Sequence, residues 1–160
     1  MFSDRVPRQL TANRLARALQ ARRAIARDYE RQGLSVPPER IVLTVSTSEA
    51  YSLLFKLLAD GGDEVLVPRP SYPLFDQLID LDLVAGRPYD LVYHGAWSID
   101  FDSFERAFSP RTRVVILVSP NNPTGSIVRD ADAADLAQTC ASNGFGSGLA
   151  ASPRARGFRR

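Results

Sequence analysis

The chain has 160 residues, with 44% hydrophobic and 24% charged residues, ordinary values for a globular protein that buries one core. Its formal net charge is +2, and the arginines lack the interleaved aromatic residues of a nucleic-acid-binding surface, so we expect no nucleic-acid partner. One cysteine, Cys140, excludes an internal disulfide and predicts a cytoplasmic location, and we expect neither a membrane span nor a signal peptide.

The first predicted element is a helix over residues 13–32, rich in Ala, Leu and Arg and only weakly amphipathic. We interpret it as a solvated helix rather than as an anion-binding one. Gly33 is predicted to end it as the C′ residue, because Pro37 and Pro38 prevent its continuation. Residues 1–33 are therefore assigned to an N-terminal helical segment.

A short apolar run at residues 41–43 predicts a buried strand, which leads into a turn rich in hydroxyl groups. Ser46 and Glu49 have the S-x-x-E spacing of a capping box, with Ser46 at the N-cap. The helix that follows is apolar almost all round, so we expect it to be largely buried. Its first N–H groups can bind an anion, but the same pattern is also that of an ordinary N-cap.

The rest of the chain alternates strands with helices, which predicts an α/β fold with a mostly parallel sheet. In such a sheet the ligand-binding turns gather at the carboxyl ends of the strands. His94 has no second histidine or cysteine near it and is predicted to be an ordinary loop residue. The predicted strands are residues 64–67, 89–93 and 113–118, and the predicted helices are residues 72–81, 100–108 and 130–141.

Two stretches of the chain together resemble a known family. The first is GDEVLVPRPSYP, which places Tyr72 on a proline-flanked turn after a strand, and the second is NNPTG, which also follows a strand. With them, residues 24–143 resemble the large domain of a fold-type I, pyridoxal-phosphate-dependent aminotransferase of class I/II. The resemblance implies an incomplete three-layer sandwich, with residues 34–144 as a partial large domain.

The resemblance also implies a site for pyridoxal phosphate. Ser46, Thr47 and Ser48 would hold the phosphate through their hydroxyl groups and the N–H groups of the helix start, where many relatives have a glycine. Tyr72 would stack on the pyridine ring, and Asn122 would donate a hydrogen bond to the 3′-oxygen of that ring. Without the resemblance, Tyr72 is a half-buried aromatic residue and Asn122 a satisfied turn residue.

Several functional residues of the family have no counterpart in this chain. They are the aspartate for the pyridine nitrogen, the tyrosine for the 3′-oxygen, the Schiff-base lysine and the arginines for the phosphate and the substrate carboxylate. Lys56, the one lysine, lies about two turns past the phosphate turn in an apolar helix and is predicted to extend to the helix end or the surface. No catalytic residue and no metal ligand is therefore assigned.

The last segment, residues 145–160, is rich in Gly, Ser, Ala and Arg without periodicity, which predicts a disordered tail. It is either a flexible basic terminus or out-of-frame sequence after a frameshift, since the composition changes abruptly inside an expected strand. Near the other end, residues 15–23 and 24–33 resemble two family helices without the loop between them, which indicates an internal deletion.

Two functions are consistent with these residues. The first is that of an aminotransferase, which transfers an amino group between an amino acid and a 2-oxo acid in a homodimeric family, present here as a truncated chain that is inactive alone. The second is a non-catalytic remnant or interaction module that pairs with a full-length subunit. A generic phosphate binder is a third reading, although the chain lacks a P-loop and a G-x-G-x-x-G turn.

Overall fold

The computed structural model describes residues 8–142 and 149–151, and the side chains of residues 17–142. The chain divides into two compact units, of which the first ends at Val45 and the second begins at Ser46. Within the described ranges, no helix is both long enough and apolar enough to cross a membrane. The elements are α1 (Arg8–Arg31), a 3₁₀ turn (Pro38–Arg40), α2 (Thr47–Leu58), β1 (Glu64–Arg69), α3 (Leu74–Leu81), β2 (Ala85–Tyr93), β3 (Trp97–Ile99), α4 (Phe101–Ala107), β4 (Thr112–Leu117), α5 (Asp130–Ser142) and β5 (Leu149–Ala151).

The end of α1 confirms the predicted role of Gly33. This residue has a φ of 80°, a conformation that glycine adopts without steric cost. The N–H of Gly33 donates to the carbonyl of Glu30 and the N–H of Leu34 to that of Tyr29, both at 2.9 Å. These two bonds form a Schellman motif, which satisfies the last carbonyl groups of the helix.

In the first unit, the start of α1 and the segment at residues 41–43 differ from the sequence-based predictions. The helix begins earlier than predicted, at Arg8, and runs without a break through residues 23 and 24. The strand predicted at 41–43 is wrong: Ile41 is extended, with φ −102° and ψ 118°, but the described residues supply no partner strand for it. An apolar extended segment becomes a strand only when a neighbour completes its hydrogen bonds.

The second unit contains a five-stranded sheet in the order β3-β2-β1-β4-β5. β1 pairs in parallel with both β2 and β4, β4 pairs in parallel with β5, and only the short β3 is antiparallel to its neighbour, β2. The α/β class with a mostly parallel sheet is thereby confirmed. Because four strands run in one direction, their carboxyl ends lie along one edge of the sheet.

β2 begins at Ala85, before the start predicted at residue 89, and includes Pro88. A proline cannot donate to a ladder, so it belongs where one side of a strand is open. β3 pairs with only Leu91, Val92 and Tyr93 of β2, so the side of the strand opposite β1 is unpaired at Pro88. Pairing with β1 thus extends the predicted strand toward its amino end, through Pro88 to Ala85.

Within the tail predicted to be disordered, Leu149–Ala151 form β5 against β4. The remaining residues of the predicted tail lie outside the described ranges. The composition of the tail predicted disorder from its side chains, whereas strand pairing uses backbone groups. The edge of β4 presents backbone N–H and C=O groups that can pair with any short extended segment lacking proline.

The core lies on both faces of the sheet. Val65 and Val67 of β1 pack with Phe55 of α2 in one cluster, and Leu66 packs with Phe104 of α4 in the other. Alternate residues of a strand point to opposite faces, so an uninterrupted apolar strand is buried on both sides. Each such side chain stabilises the fold by about 1.5–3 kcal/mol. The arrangement confirms the helix–sheet–helix sandwich.

α2 is less buried than predicted. Tyr51 and Phe55 are the buried residues of this helix, whereas Leu53 and Leu57 are 50% and 77% exposed. A helix that packs on one face of a sheet buries the stripe that faces the sheet, and the opposite side needs a second layer to cover it. Apolar composition predicted a helix covered on all sides, but the described residues cover only one.

A buried carboxylate joins the amino ends of three neighbouring strands. Glu64, the first residue of β1, is 1% exposed and accepts a hydrogen bond of 2.6 Å from the Ser109 hydroxyl. Its Oε1 lies 3.4 Å from Nε of Arg87 on β2 and 3.2 Å from Nη2 of Arg111, which precedes β4. The paired arginines offset the cost of burying this charge.

We expect Glu64→Gln to lower the free energy of unfolding by about 1.5–3 kcal/mol, because the substitution keeps the side-chain shape but removes charge-assisted hydrogen bonds. Urea unfolding monitored by circular dichroism measures the change. Glu105→Gln on the exposed side of α4 is the matched control and should shift the midpoint little. Equal effects of the two substitutions would contradict a stabilising role for the Glu64 cluster.

Candidate functional site

Two loops meet at the carboxyl edge of the sheet. The first, residues 70–73, follows β1, and the second, residues 118–129, follows β4. β1 and β4 are adjacent and parallel, so their loops emerge side by side. The first loop carries Tyr72 and the second carries Asn122, two of the residues predicted to contact a cofactor.

Asn121 connects the two loops. Its Nδ2 donates to the carbonyl oxygen of Pro70 at 3.2 Å and to Oγ1 of Thr124 at 2.9 Å. The residue is 3% exposed, and its Oδ1 is a buried acceptor without a hydrogen-bond partner in the part of the chain that the structure describes. One amide group therefore fixes the second loop against the first.

The second loop is closed further by its own backbone. The N–H of Gly125 donates to the carbonyl of Asn121 at 2.7 Å, and the N–H of Asn121 donates to the carbonyl of Ser126 at 2.8 Å. Gly125 has a φ of 68°, in the left-handed region that glycine tolerates. Asn122 is exposed in the tight turn that these bonds enclose. The structure thus presents Asn122 at the surface on a hydrogen-bonded loop.

Tyr72 lies beside a cleft of about 280 Å³ and is 45% exposed. Its ring packs edge-on against buried Phe75, with the ring centres 6.4 Å apart, and its carbonyl accepts a hydrogen bond of 3.1 Å from the N–H of Phe75. The neighbouring Ser71 has a buried Oγ without a described partner. Tyr72 is therefore anchored on one side and accessible on the other.

The hydroxyl turn at the start of α2 has the predicted capping geometry. Oγ of Ser46 accepts a hydrogen bond of 3.1 Å from the N–H of Glu49, which confirms Ser46 as the N-cap. Thr47 is exposed and Ser48 is half-buried. The hydroxyl groups of these residues and the remaining N–H groups of the first turn favour an anion at this end of the helix.

The start of α2 and the loop after β1 share a packing partner. Tyr51, four residues after Thr47, packs edge-on against Phe75 with the ring centres 4.8 Å apart. Phe75 in turn contacts the ring of Tyr72. The hydroxyl turn and Tyr72 are thereby held by one aromatic cluster. Their roles toward a ligand, and that of Asn122, stay predictions.

Lys56 is engaged away from this edge. Its Nζ lies 3.2 Å from Oδ1 of Asp82, whose side chain is 4% exposed, and donates to Oγ of Ser52 at 3.0 Å. Lys56 is nine residues beyond Thr47 in the same helix, which places it on the order of 14 Å along the axis from the first turn. The ion pair holds α2 to the end of α3.

The arginines nearest the two loops are also paired. Nε of Arg69, at the end of β1, donates to Oδ1 of Asp90 at 2.7 Å, and this carboxylate raises the pKa of the guanidinium. Arg129 makes a bidentate contact with Asp132 at 2.9 and 2.8 Å, which likewise raises the pKa of its guanidinium. Neighbouring carboxylates thus already neutralise the positive charge of both side chains.

The described residues fit pyridoxal phosphate in part. A hydroxyl-rich helix start suits the phosphate, and Tyr72 offers an accessible ring face for stacking. Two buried polar atoms without partners, Asn121 Oδ1 and Ser71 Oγ, lie in the same two loops, and such atoms are rare in native structures unless a ligand or water completes them. No lysine is available for a covalent link, because Lys56 is bound to Asp82.

The sequence did not single out Asn121, Thr124 or Ser71. Of the two adjacent asparagines, the family resemblance assigned a role only to the second, Asn122. The first is the more buried, since it makes the contact with the loop after β1. The Asn-Asn pair was visible in the sequence and could have drawn attention to both residues. Which asparagine is buried, however, depends on a contact between residues 51 positions apart.

Comparison with known proteins agrees with the fold. The family model "Aminotransferase class I and II" matches residues 13–145. The chain is similar to the glutamate-pyruvate aminotransferase AlaA of Escherichia coli, with 34% identity over 108 residues that cover 67% of this chain and 27% of the relative. It is also similar to an aspartate aminotransferase of Geobacillus stearothermophilus, with 32% identity over 71% of this chain and 29% of the relative.

Solved structures of aminotransferases also superpose on this chain. An alanine aminotransferase from Pyrococcus furiosus superposes with a TM-score of 0.75 and 27% identity, over 84% of this chain and 33% of that one. The N-succinyldiaminopimelate aminotransferase from Mycobacterium tuberculosis superposes with a TM-score of 0.75 and 31% identity, over 84% and 35%. This chain therefore spans about a quarter to a third of the length of these relatives. It belongs to the class I and II aminotransferase family, whose members use pyridoxal phosphate, and it corresponds to part of their length.

Proposed function

We propose that this chain is the part of a pyridoxal-phosphate-dependent aminotransferase that contacts the phosphate, the ring face and the 3′-oxygen of the cofactor. The complete reaction of such an enzyme moves an amino group between an amino acid and a 2-oxo acid. The observation that carries the proposal is the Asn121–Pro70 hydrogen bond, which joins the loop bearing Tyr72 to the loop bearing Asn122. Family membership supplies the identity of the cofactor.

Each candidate residue has a role that follows from its position. The start of α2, with Ser46, Thr47 and Ser48, binds the phosphate through hydroxyl and N–H donors. The exposed ring of Tyr72 stacks on the cofactor and, because Phe75 supports its edge, keeps one orientation. Asn122 donates its amide N–H to the 3′-oxygen. Bound there, the cofactor would supply the electron sink that amino-group transfer requires.

This chain alone should bind the cofactor weakly and should not turn over substrate. The residues that fit the site bind and orient a planar phosphate ester, but none of them holds it covalently. Arg69 and Arg129, the arginines near the two loops, are paired with Asp90 and Asp132, so a phosphate would compete with these carboxylates for them. Nothing in the described residues selects a particular amino acid.

The first prediction from this proposal concerns the two side chains proposed to contact the ring. Tyr72→Ala and Asn122→Ala should each weaken pyridoxal phosphate binding by about threefold to tenfold, the effect of losing a stacking contact or a hydrogen bond. Equilibrium dialysis of the full chain measures the affinity. Tyr93→Ala removes a similarly exposed tyrosine from the end of β2 and is the matched control. Equal weakening by Tyr93→Ala would contradict the assignment.

A second prediction concerns covalent binding. After incubation with pyridoxal phosphate and reduction with borohydride, mass spectrometry should find no stoichiometric adduct at Lys56, because its ammonium group is bound to Asp82 and lies far from the start of α2. Lys56→Arg keeps the ion pair, removes the reactive amine and serves as the control. A full adduct at Lys56, together with transamination above the rate of free cofactor, would contradict the proposed inactivity of the chain.

A second candidate function is association with another subunit. Four leucines of α2, α3 and the residue pair after α3 expose half of their surface or more, as a buried interface of a larger assembly would require: Leu53, Leu57, Leu81 and Leu83 are 50%, 77%, 77% and 76% exposed. Exposed apolar side chains indicate an interaction site where they share a surface, as Leu53 and Leu57 do one turn apart on α2. In this candidate function the chain acts by pairing with a full-length subunit and not by catalysis.

We expect the double substitution Leu53→Ser and Leu57→Ser to reduce association of the chain with itself or with a full-length family member. Sedimentation velocity of the chain alone and of the mixture measures the association. Ile127→Ser is the control, since Ile127 is equally exposed, at 50%, but lies in the loop after β4. Association that is absent in the parent chain, or unchanged in the double variant, would exclude α2 as the contact.

A further inference from the structure

We infer that Asn121 is a positioning residue, which sets the distance between Tyr72 and Asn122 and so determines how well the site accepts a planar ring. The inference rests on the proposed function, since it concerns the same site. Asn121 itself is buried at 3% exposure and acts through its neighbours. The hydrogen bonds of its amide group carry the argument.

The direction of the amide is fixed by its partners. The carbonyl oxygen of Pro70 can only accept a hydrogen bond, so the atom of Asn121 that faces it must be the donor Nδ2. The second N–H of the same group donates to Oγ1 of Thr124, and this hydroxyl shares a hydrogen bond of 2.7 Å with Oγ of Ser126. The bonds form a chain that begins at the first loop and ends inside the second.

The same bonds predict that an aspartate at position 121 cannot make both contacts. A carboxylate has the same shape, but its oxygen would face the carbonyl of Pro70 as a second acceptor. It would also bury a charge with no cation near it among the described partners of Asn121, which is costly. Only an amide, or another group with two donors in this geometry, completes both contacts.

The positions of the contacts link Asn121 to ligand binding. Pro70, its partner in the first loop, lies two residues before Tyr72, and Asn122 follows Asn121 directly. A single hydrogen bond therefore couples the residue proposed to stack on the ring to the residue proposed to bond its oxygen. Without it, each loop samples positions independently, and the fraction of chains with both groups in place falls. Apparent affinity falls with that fraction.

Ser119 offers a comparison that distinguishes the coupling of the two loops by Asn121 from general support of the loop after β4. Ser119 lies in the same loop and is 7% exposed, and its Oγ accepts a hydrogen bond of 3.1 Å from the N–H of Val128. That bond stays within the loop after β4. Ser119 is thus a matched residue of similar depth whose loss disturbs the second loop without releasing it from Pro70.

The test compares Asn121→Asp and Asn121→Ala with Ser119→Ala in the full chain. Hydrogen–deuterium exchange of the cofactor-free proteins should rise in the peptide over residues 70–76 for both Asn121 variants, and stay at the parent level there for Ser119→Ala. Pyridoxal phosphate affinity, measured by equilibrium dialysis, should fall about fivefold in the Asn121 variants, the factor for one hydrogen bond of about 1 kcal/mol, and less than twofold in the control.

The two readouts separate this inference from the proposed function. If the parent chain does not bind pyridoxal phosphate, the proposed function fails, and the exchange measurement alone decides the inference. Unchanged exchange over residues 70–76 in a folded Asn121 variant overturns it, as does an equal loss of affinity in Ser119→Ala. Should the buried charge of Asn121→Asp prevent folding, as circular dichroism would reveal, Asn121→Ala supplies the same comparison without that charge.

Discussion

The parallel pairing of β1 with β4 is the constraint on which the candidate site depends. Val65 aligns with Val114 and Leu66 with Val115, and all four side chains are fully buried, so the register cannot shift without moving apolar groups to the wrong face. Because the strands run in the same direction, their exit loops lie side by side. Residues that are about fifty positions apart in the chain thereby come within hydrogen-bond distance.

The two faces of the sheet support different parts of the candidate site. One face packs on α2 and α3, and the contact between Tyr51 of α2 and Phe75 of α3 holds the hydroxyl turn near the loop that bears Tyr72. The other face packs on α4 and α5, where the Tyr89 hydroxyl donates to the carbonyl of Ile116 at 2.7 Å. The second face stabilises β4 and so holds the base of the loop that carries Asn121.

Features governed by neighbouring residues were predictable from the sequence, and features governed by distant residues were not. The Ser46 cap and the Gly33 helix end depend on bonds that span a few residues, and both are confirmed. The missing strand at 41–43 and the unexpected β5 depend on whether a partner strand is present, which no local pattern specifies. Asn121 was missed for the same reason, since its decisive partner is Pro70.

Charge pairing sets the limit of what this chain can bind alone. A helix start favours an anion by about 0.3–1 kcal/mol when exposed and up to about 2 kcal/mol when partly buried, whereas each hydrogen bond to a charged partner is worth about 1.5–3 kcal/mol. Arg69 and Arg129 already make such bonds with Asp90 and Asp132. Moving either arginine to a phosphate would break one charged contact to make another, with little net gain. In the proposed site the start of α2 and the two loops would therefore recognise the shape of a cofactor, while strong binding would require cations that these carboxylates do not already hold.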